Sequence, residues 1–179
     1  MTRKFFSQFV ITAFCLLAPL TGFAEVVSTK ILWQYIGKLP AVKIYEPAAG
    51  RPITVWETQS VKNLSLAPVG KEISDSTLRL IPGSTTTFVL VMQNTTNKTF
   101  HFFAAPHYVN PPEFSLGFKF KCLCINHIFK VGPQEVWYRV VELNLAKEFV
   151  GNHLDITHSI IEVDANRPPP NMTSSHNHE

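Results

Sequence analysis

Apolar and polar residues alternate with a period of two along much of this chain, the signature of strands with one buried face. The pattern predicts strands over residues 31–36, 41–45, 53–61, 77–81, 86–93, 99–105, 136–145 and 153–163. Leu39-Pro40, the prolines between 47 and 52, Pro68-Val69-Gly70, residues 74–76, Pro82-Gly83 and Gly132-Pro133 supply the breaks. Residues 86–93 (TTFVLVMQ) are apolar enough for the middle of a sandwich, and the polar stretch 94–98 turns the chain into 99–105. Together they predict a β-hairpin. Residues 106–114, rich in proline, read as a loop, and 146–152 as a short helical turn. Trp33 and Trp56 read as core aromatics, and His153 and His158 as plain sheet positions in a closing strand that alternates through Leu154, Ile156, Ile161 and Val163. A weak echo links Ile81-Pro82-Gly83 and Val131-Gly132-Pro133, each a turn that leads into an apolar strand.

The stretch with chemistry in it is residues 118–124, FKFKCLC. Phe118, Phe120, Cys122 and Cys124 share one phase, with Lys119, Lys121 and Leu123 in the other. On a strand, positions i and i+2 leave from the same face about 6.6 Å apart, so both sulfurs point to one side and side-chain rotation lets them share an ion. Two thiolates suit a soft metal such as Cu(I), whereas zinc calls for four ligands. His127, three residues past Cys124, belongs to the opposite face and joins only if the chain bends. His101 and His107 precede the cysteines and are accessory candidates from across the sheet. His176 and His178 near the end of the chain are a weak signal for loose Cu(II) binding.

Composition narrows the class. Charged residues make up 16% of the chain and Phe numbers 14, a mix that fits an all-β domain with a real core. Lys plus Arg exceed Asp plus Glu only by 16 to 13, which gives no footprint for nucleic acid. There is no nucleotide-binding glycine loop, no nucleophile elbow and no HExxH, so the chain is not expected to be an enzyme.

Residues 1–24 read as a secretory signal: Arg3 and Lys4, then an apolar stretch, then small residues ending at Ala24. An uncut membrane anchor is the alternative. Cys15 leaves with a cleaved leader. Export would ordinarily assign the remaining pair to a structural disulfide, but a bond between Cys122 and Cys124 closes a tiny loop and strains its geometry. A metal pair or a reversible dithiol, kept reduced by a thioredoxin-like partner, accounts for them better. The readings without metal are a secreted β-sandwich interaction module with a redox-active cysteine pair, and a thiol oxidoreductase. The second lacks the usual CxxC at a helix start.

Residues 77–144 resemble the immunoglobulin-like copper domain of CtaG-type cytochrome c oxidase assembly proteins. The likeness lies in the order of parts. Pro82-Gly83 precedes an apolar strand ending at Asn94, a proline-rich loop leads to Lys121-Cys122-Leu123-Cys124-Ile125, and Gly132-Pro133 precedes a last strand from Val136. The chain departs from that family at Leu123, where Phe is usual, and at Asn126-His127. The resemblance implies an immunoglobulin-like β-sandwich that carries Cu(I) on Cys122 and Cys124, commonly in a homodimer. It implies delivery to a membrane cuproenzyme at the periplasmic face of the inner membrane. The expected organisation is a leader at 1–24, an N-terminal β extension at 25–75, the copper domain at 76–164 and a flexible tail at 165–179.

Overall fold

The computed structural model describes residues 25–123 and 126–164. The leader, Cys124, Ile125 and the tail with His176 and His178 lie outside the described residues. The described residues form twelve strands: β1 (Val27–Ile36), β2 (Val42–Pro47), β3 (Thr58–Val61), β4 (Val69–Glu72), β5 (Thr77–Leu80), β6 (Thr85–Gln93), β7 (Phe100–Ala104), β8 (Tyr108–Asn110), β9 (Phe118–Lys121), β10 (Phe129–Val131), β11 (Val136–Leu145) and β12 (His153–Glu162). They form two six-stranded sheets, one in the order β10-β7-β12-β1-β5 with β8 beside β12, the other β3-β11-β6-β2-β4 with β9 beside β11. The fold is an all-β, immunoglobulin-like sandwich. Among the described residues no helix is long and apolar enough to cross a membrane.

Alternation builds the core. Phe88, Leu90 and Met92 of β6 face the other sheet with Trp137, Val141 and Leu143 of β11, and meet Ile31, Phe102, Leu154, Ile156 and Ile160 there. The opposite phase, Val89, Val91, Tyr138 and Val140, is also buried, under Ile53, Val61, Leu64 and Ala67 of the segment that wraps the outside. A run apolar in both phases is what a strand covered on two faces requires.

Several expectations change. Residues 25–75 are no appendage: β1 pairs with β12 and β5, β2 with β6, and β3 with β11. Residues 86–93 and 99–105 make no hairpin, because β6 and β7 belong to different sheets and the 94–98 turn carries the chain between them. Buried Asn94 holds that crossing, its Nδ2 donating to the carbonyls of Lys98 and Gly132, each at 2.7 Å. The echoed turns are also crossings, from β5 to β6 and from β10 to β11. Val69 and Gly70 lie in β4 rather than in a turn, and residues 108–110 of the expected loop form β8. The 53–61 strand begins only at Thr58, because Trp56 takes a φ of 71° and turns outward, 52% exposed. The 146–152 segment holds a turn and no helix.

Phe102 lies at the aromatic centre of the core, stacked on Phe129 at 5.3 Å and edge-on to Trp137 at 5.2 Å. Phe102→Ala is expected to cost about 3–5 kcal/mol, read from the midpoint of denaturant unfolding. On the outer face, the Tyr138 hydroxyl donates to Glu57 at 2.7 Å. Burial, reinforced by that carboxylate, pushes the phenol from 10.0 up to about 12. The folded state therefore favours the neutral phenol. Stability from this group is complete below the unfolded value and is lost as pH rises from 10.0 towards about 12. Phenolate absorbance should show this late titration, and Tyr138→Phe should flatten the alkaline fall in stability.

Candidate metal centre

β9 lies along the edge of β11, Phe118 opposite Leu145 and Lys121 opposite Glu142. Its inward phase is Phe118, Phe120 and then Cys122, as the alternation predicts. The strand stops at Lys121, however, and the chain bends at Cys122 and Leu123. The expected strand running through both cysteines is therefore cut short. The Cys122 side chain is buried, 3% exposed.

The reason for the bend sits on β11. Its inward phase runs Trp137, Arg139, Val141, Leu143, so a guanidinium lies where the pattern calls for an apolar side chain. Arg139 is 4% exposed. Its Nε donates to the Cys122 carbonyl at 3.0 Å and its Nη1 to Thr58 Oγ1 at 2.6 Å, and it lies over the Phe129 ring at 5.4 Å. A carbonyl fixed by this side chain cannot extend the β9 ladder onto β11. Burial lowers the Arg139 pKa from its ordinary value, and the negative charge available at Cys122 raises it in part. Among the described residues Arg139 makes no ion pair with a carboxylate.

Two imidazoles from the facing sheet meet Cys122. Possible ligand atoms of His107, Cys122 and His158 all lie within 4.8 Å of one another. His158 belongs to the buried phase of β12, which runs unbroken through Leu154, Ile156, His158 and Ile160. It is wholly buried, with Trp33 stacked on it at 5.6 Å and Phe120 edge-on at 5.3 Å.

His107 arrives by a change of phase. β7 and β8 are two parts of one antiparallel run along β12, and the register slips by one residue between Ile160↔Ala104 and Thr157↔Tyr108. Ala105 N–H still donates to the Ser159 carbonyl at 3.0 Å, so Pro106 and His107 together oppose His158. This is a β-bulge, and its extra residue exchanges the two faces of the strand beyond it. Phe102 and Ala104 face inward before the bulge, and His107 and Val109 after it, with Pro106 exposed. Without the bulge, proline would occupy the inward position. His107 packs on Phe118 at 5.4 Å, Phe120 at 6.1 Å and His158 at 5.3 Å.

The structure thus joins expected candidates His107 and Cys122 to His158, which the sequence had suggested was only a sheet residue. His101 stays out of the cluster because it lies in the outward phase of β7, its carbonyl accepting from Val163 N–H at 2.9 Å. The chain does bend before His127, but that ring packs edge-on to Phe129 at 5.0 Å instead. His153 pairs with Asp155 at 2.9 Å. Arg139 was also missed, although a lone charge in an otherwise apolar phase is visible in VWYRVVELNL.

A thiol and two imidazoles can bind a borderline or soft transition metal. With metal–ligand bonds of about 2.0–2.3 Å, two donors on one ion lie at most about 4.6 Å apart, so these donors, within 4.8 Å of one another, must close in to share one. The fold and this cluster define a β-sandwich protein with a candidate metal centre between its sheets. Residues 27–163 match the DUF8709 family, described as a domain of unknown function, and the chain belongs to that family. No curated protein matches the sequence.

Removing the guanidinium should test its structural role. Arg139→Leu is expected to cost on the order of 1–3 kcal/mol by leaving the buried Cys122 carbonyl unsatisfied. Arg139→Lys should recover only part of this, since an ammonium lacks the planar fork that reaches two acceptors. Denaturant unfolding checks both.

Proposed function

We propose that this protein binds copper as cargo, holds it as Cu(I) at Cys122 and passes it to a membrane cuproenzyme. The single observation that carries the proposal is the convergence of the Cys122 thiol and the His107 and His158 imidazoles inside an aromatic-lined site. Thiolate and imidazole suit copper, and a set of two histidines and one cysteine is characteristic of copper sites. The rings of Trp33, Phe118 and Phe120 supply an apolar surround that limits access of water and oxidants to the thiol. Cys124, two residues on, is the fourth donor in this proposal and would complete the set from the segment that follows the bend.

The CtaG-like order of motifs supports cytochrome c oxidase assembly as the setting, and the leader supports delivery at the periplasmic face. In that setting a homodimer and a thioredoxin-like reductant for the cysteines are the proposed partners. Transfer would proceed by stepwise ligand replacement, so copper never leaves as the free ion. The same four donors suit tetrahedral zinc, and the competition below separates the two metals.

The experiment is titration of the reduced full chain with Cu(I) against a competing chelator, repeated with Zn(II). Expected is one tightly held Cu(I) per chain that excess zinc does not displace. Cys122→Ser should abolish it. His158→Ala should weaken it by about tenfold or more, each tenfold being about 1.4 kcal/mol. Cu(I) affinity unchanged in Cys122→Ser, or zinc displacing copper, would overturn the proposal.

A further inference from the structure

The three donors are not equally enclosed. Cys122 is 3% exposed and His158 wholly buried, whereas His107 is partly exposed and flanked by exposed Pro106 and Tyr108, the latter at 66%. Their backbones also differ. Cys122 is tied to Arg139 through its carbonyl. His158 sits within β12, paired with Trp33 of β1 and clasped between two aromatic rings. His107 occupies the bulge, where regular pairing ends at Ala104 and resumes at Tyr108. The rings of Phe118 and Phe120 pack against its imidazole.

We infer that His107 is the exchangeable donor, the position through which copper is loaded and surrendered, while Cys122 and His158 keep hold of it. This rests on the copper proposal above and specifies the face of the molecule on which transfer takes place. The partner would present a neutral soft or borderline donor, a methionine thioether or an imidazole, at the exposed part of His107. One copper–nitrogen bond to His107 breaks as one bond to the incoming donor forms. Copper stays Cu(I), no electron moves, and because both donors are neutral no proton is taken up or released. A bulge suits such a role, since it offers local freedom without breaking the paired strands on either side.

Free imidazole can test the assignment by standing in for a deleted ring. His107→Gly should lose Cu(I) affinity by about tenfold or more, equivalent to about 1.4 kcal/mol, and added imidazole should restore it. It should also hand Cu(I) to a chelator faster than the wild-type chain. His158→Gly should lose affinity without recovery, because its ring lies in a sealed core. Equal rescue of both variants, or rescue of His158→Gly alone, would overturn the inference. The wild-type chain gives a second measurement that needs no folded variant. Diethyl pyrocarbonate followed by peptide mapping should modify His107 in the metal-free protein, spare it once Cu(I) is bound, and leave His158 unmodified in both. Modification of His158 as readily as His107 would overturn it. A wild-type chain that binds no Cu(I) would sink the copper proposal itself. Cu(I) binding lost in Cys122→Ser, but with no difference between the histidines, would sink only this inference.

Discussion

β1 and β12 run parallel through nine consecutive residue pairs in the middle of one sheet, from Ser28↔His153 to Ile36↔Ile161. The rest of the sandwich depends on this pairing, because it joins the first described strand to the last. β5 attaches to the outer edge of β1, and β7 and β8 to the outer edge of β12. The same register puts Trp33 beside His158 and so fixes one wall of the cluster. Closing so long a loop carries an entropic cost that only the completed sheet offsets. The β1–β12 pairing can form only once the chain as far as β12 is available.

The second constraint is a charge in the wrong place. A buried guanidinium is costly to desolvate and is tolerated when its donors are well used. Arg139 uses its donors on a backbone carbonyl and a hydroxyl, and packs against Phe129. It also sits beside the cysteine whose thiolate would offer it a countercharge. An apolar residue there would pack at lower cost but would leave the Cys122 carbonyl without this partner. The position joins a local departure from good packing to the buried Cys122.

The strand content and sandwich architecture were legible because buried strands alternate, and because β6 and β11 are apolar in both phases. Sheet membership was not. The 94–98 turn has the composition of a hairpin loop, yet whether strands pair or cross between sheets depends on distant partners. Trp56 was misplaced because a positive φ turned it out of the expected strand. In the cluster, Cys122 and His107 could be named from the sequence, but the bulge that turns His107 inward was hidden in a proline-rich stretch. His158 was not legible as part of the site because Leu154 and Ile156 lie in one phase and Ile161 and Val163 in the other, which leaves the phase of the residues between them open. The first phase continues to Ile160, which makes the histidine a polar residue in a core phase.

The parallel alignment of β1 and β12 also sets the polarity of the whole particle. Since the two strands point the same way, the described residues start at one pole of the sandwich, near Glu25, and reach Asp164 at the other. At about 3.3 Å per residue, the nine paired positions alone span roughly 26 Å between those poles. Most domains tolerate circular permutation because their ends are close together. Here a permutant of residues 25–164 would need a linker long enough to travel the length of the sandwich, whereas tandem copies of those residues joined end to end would line up like beads on a rod.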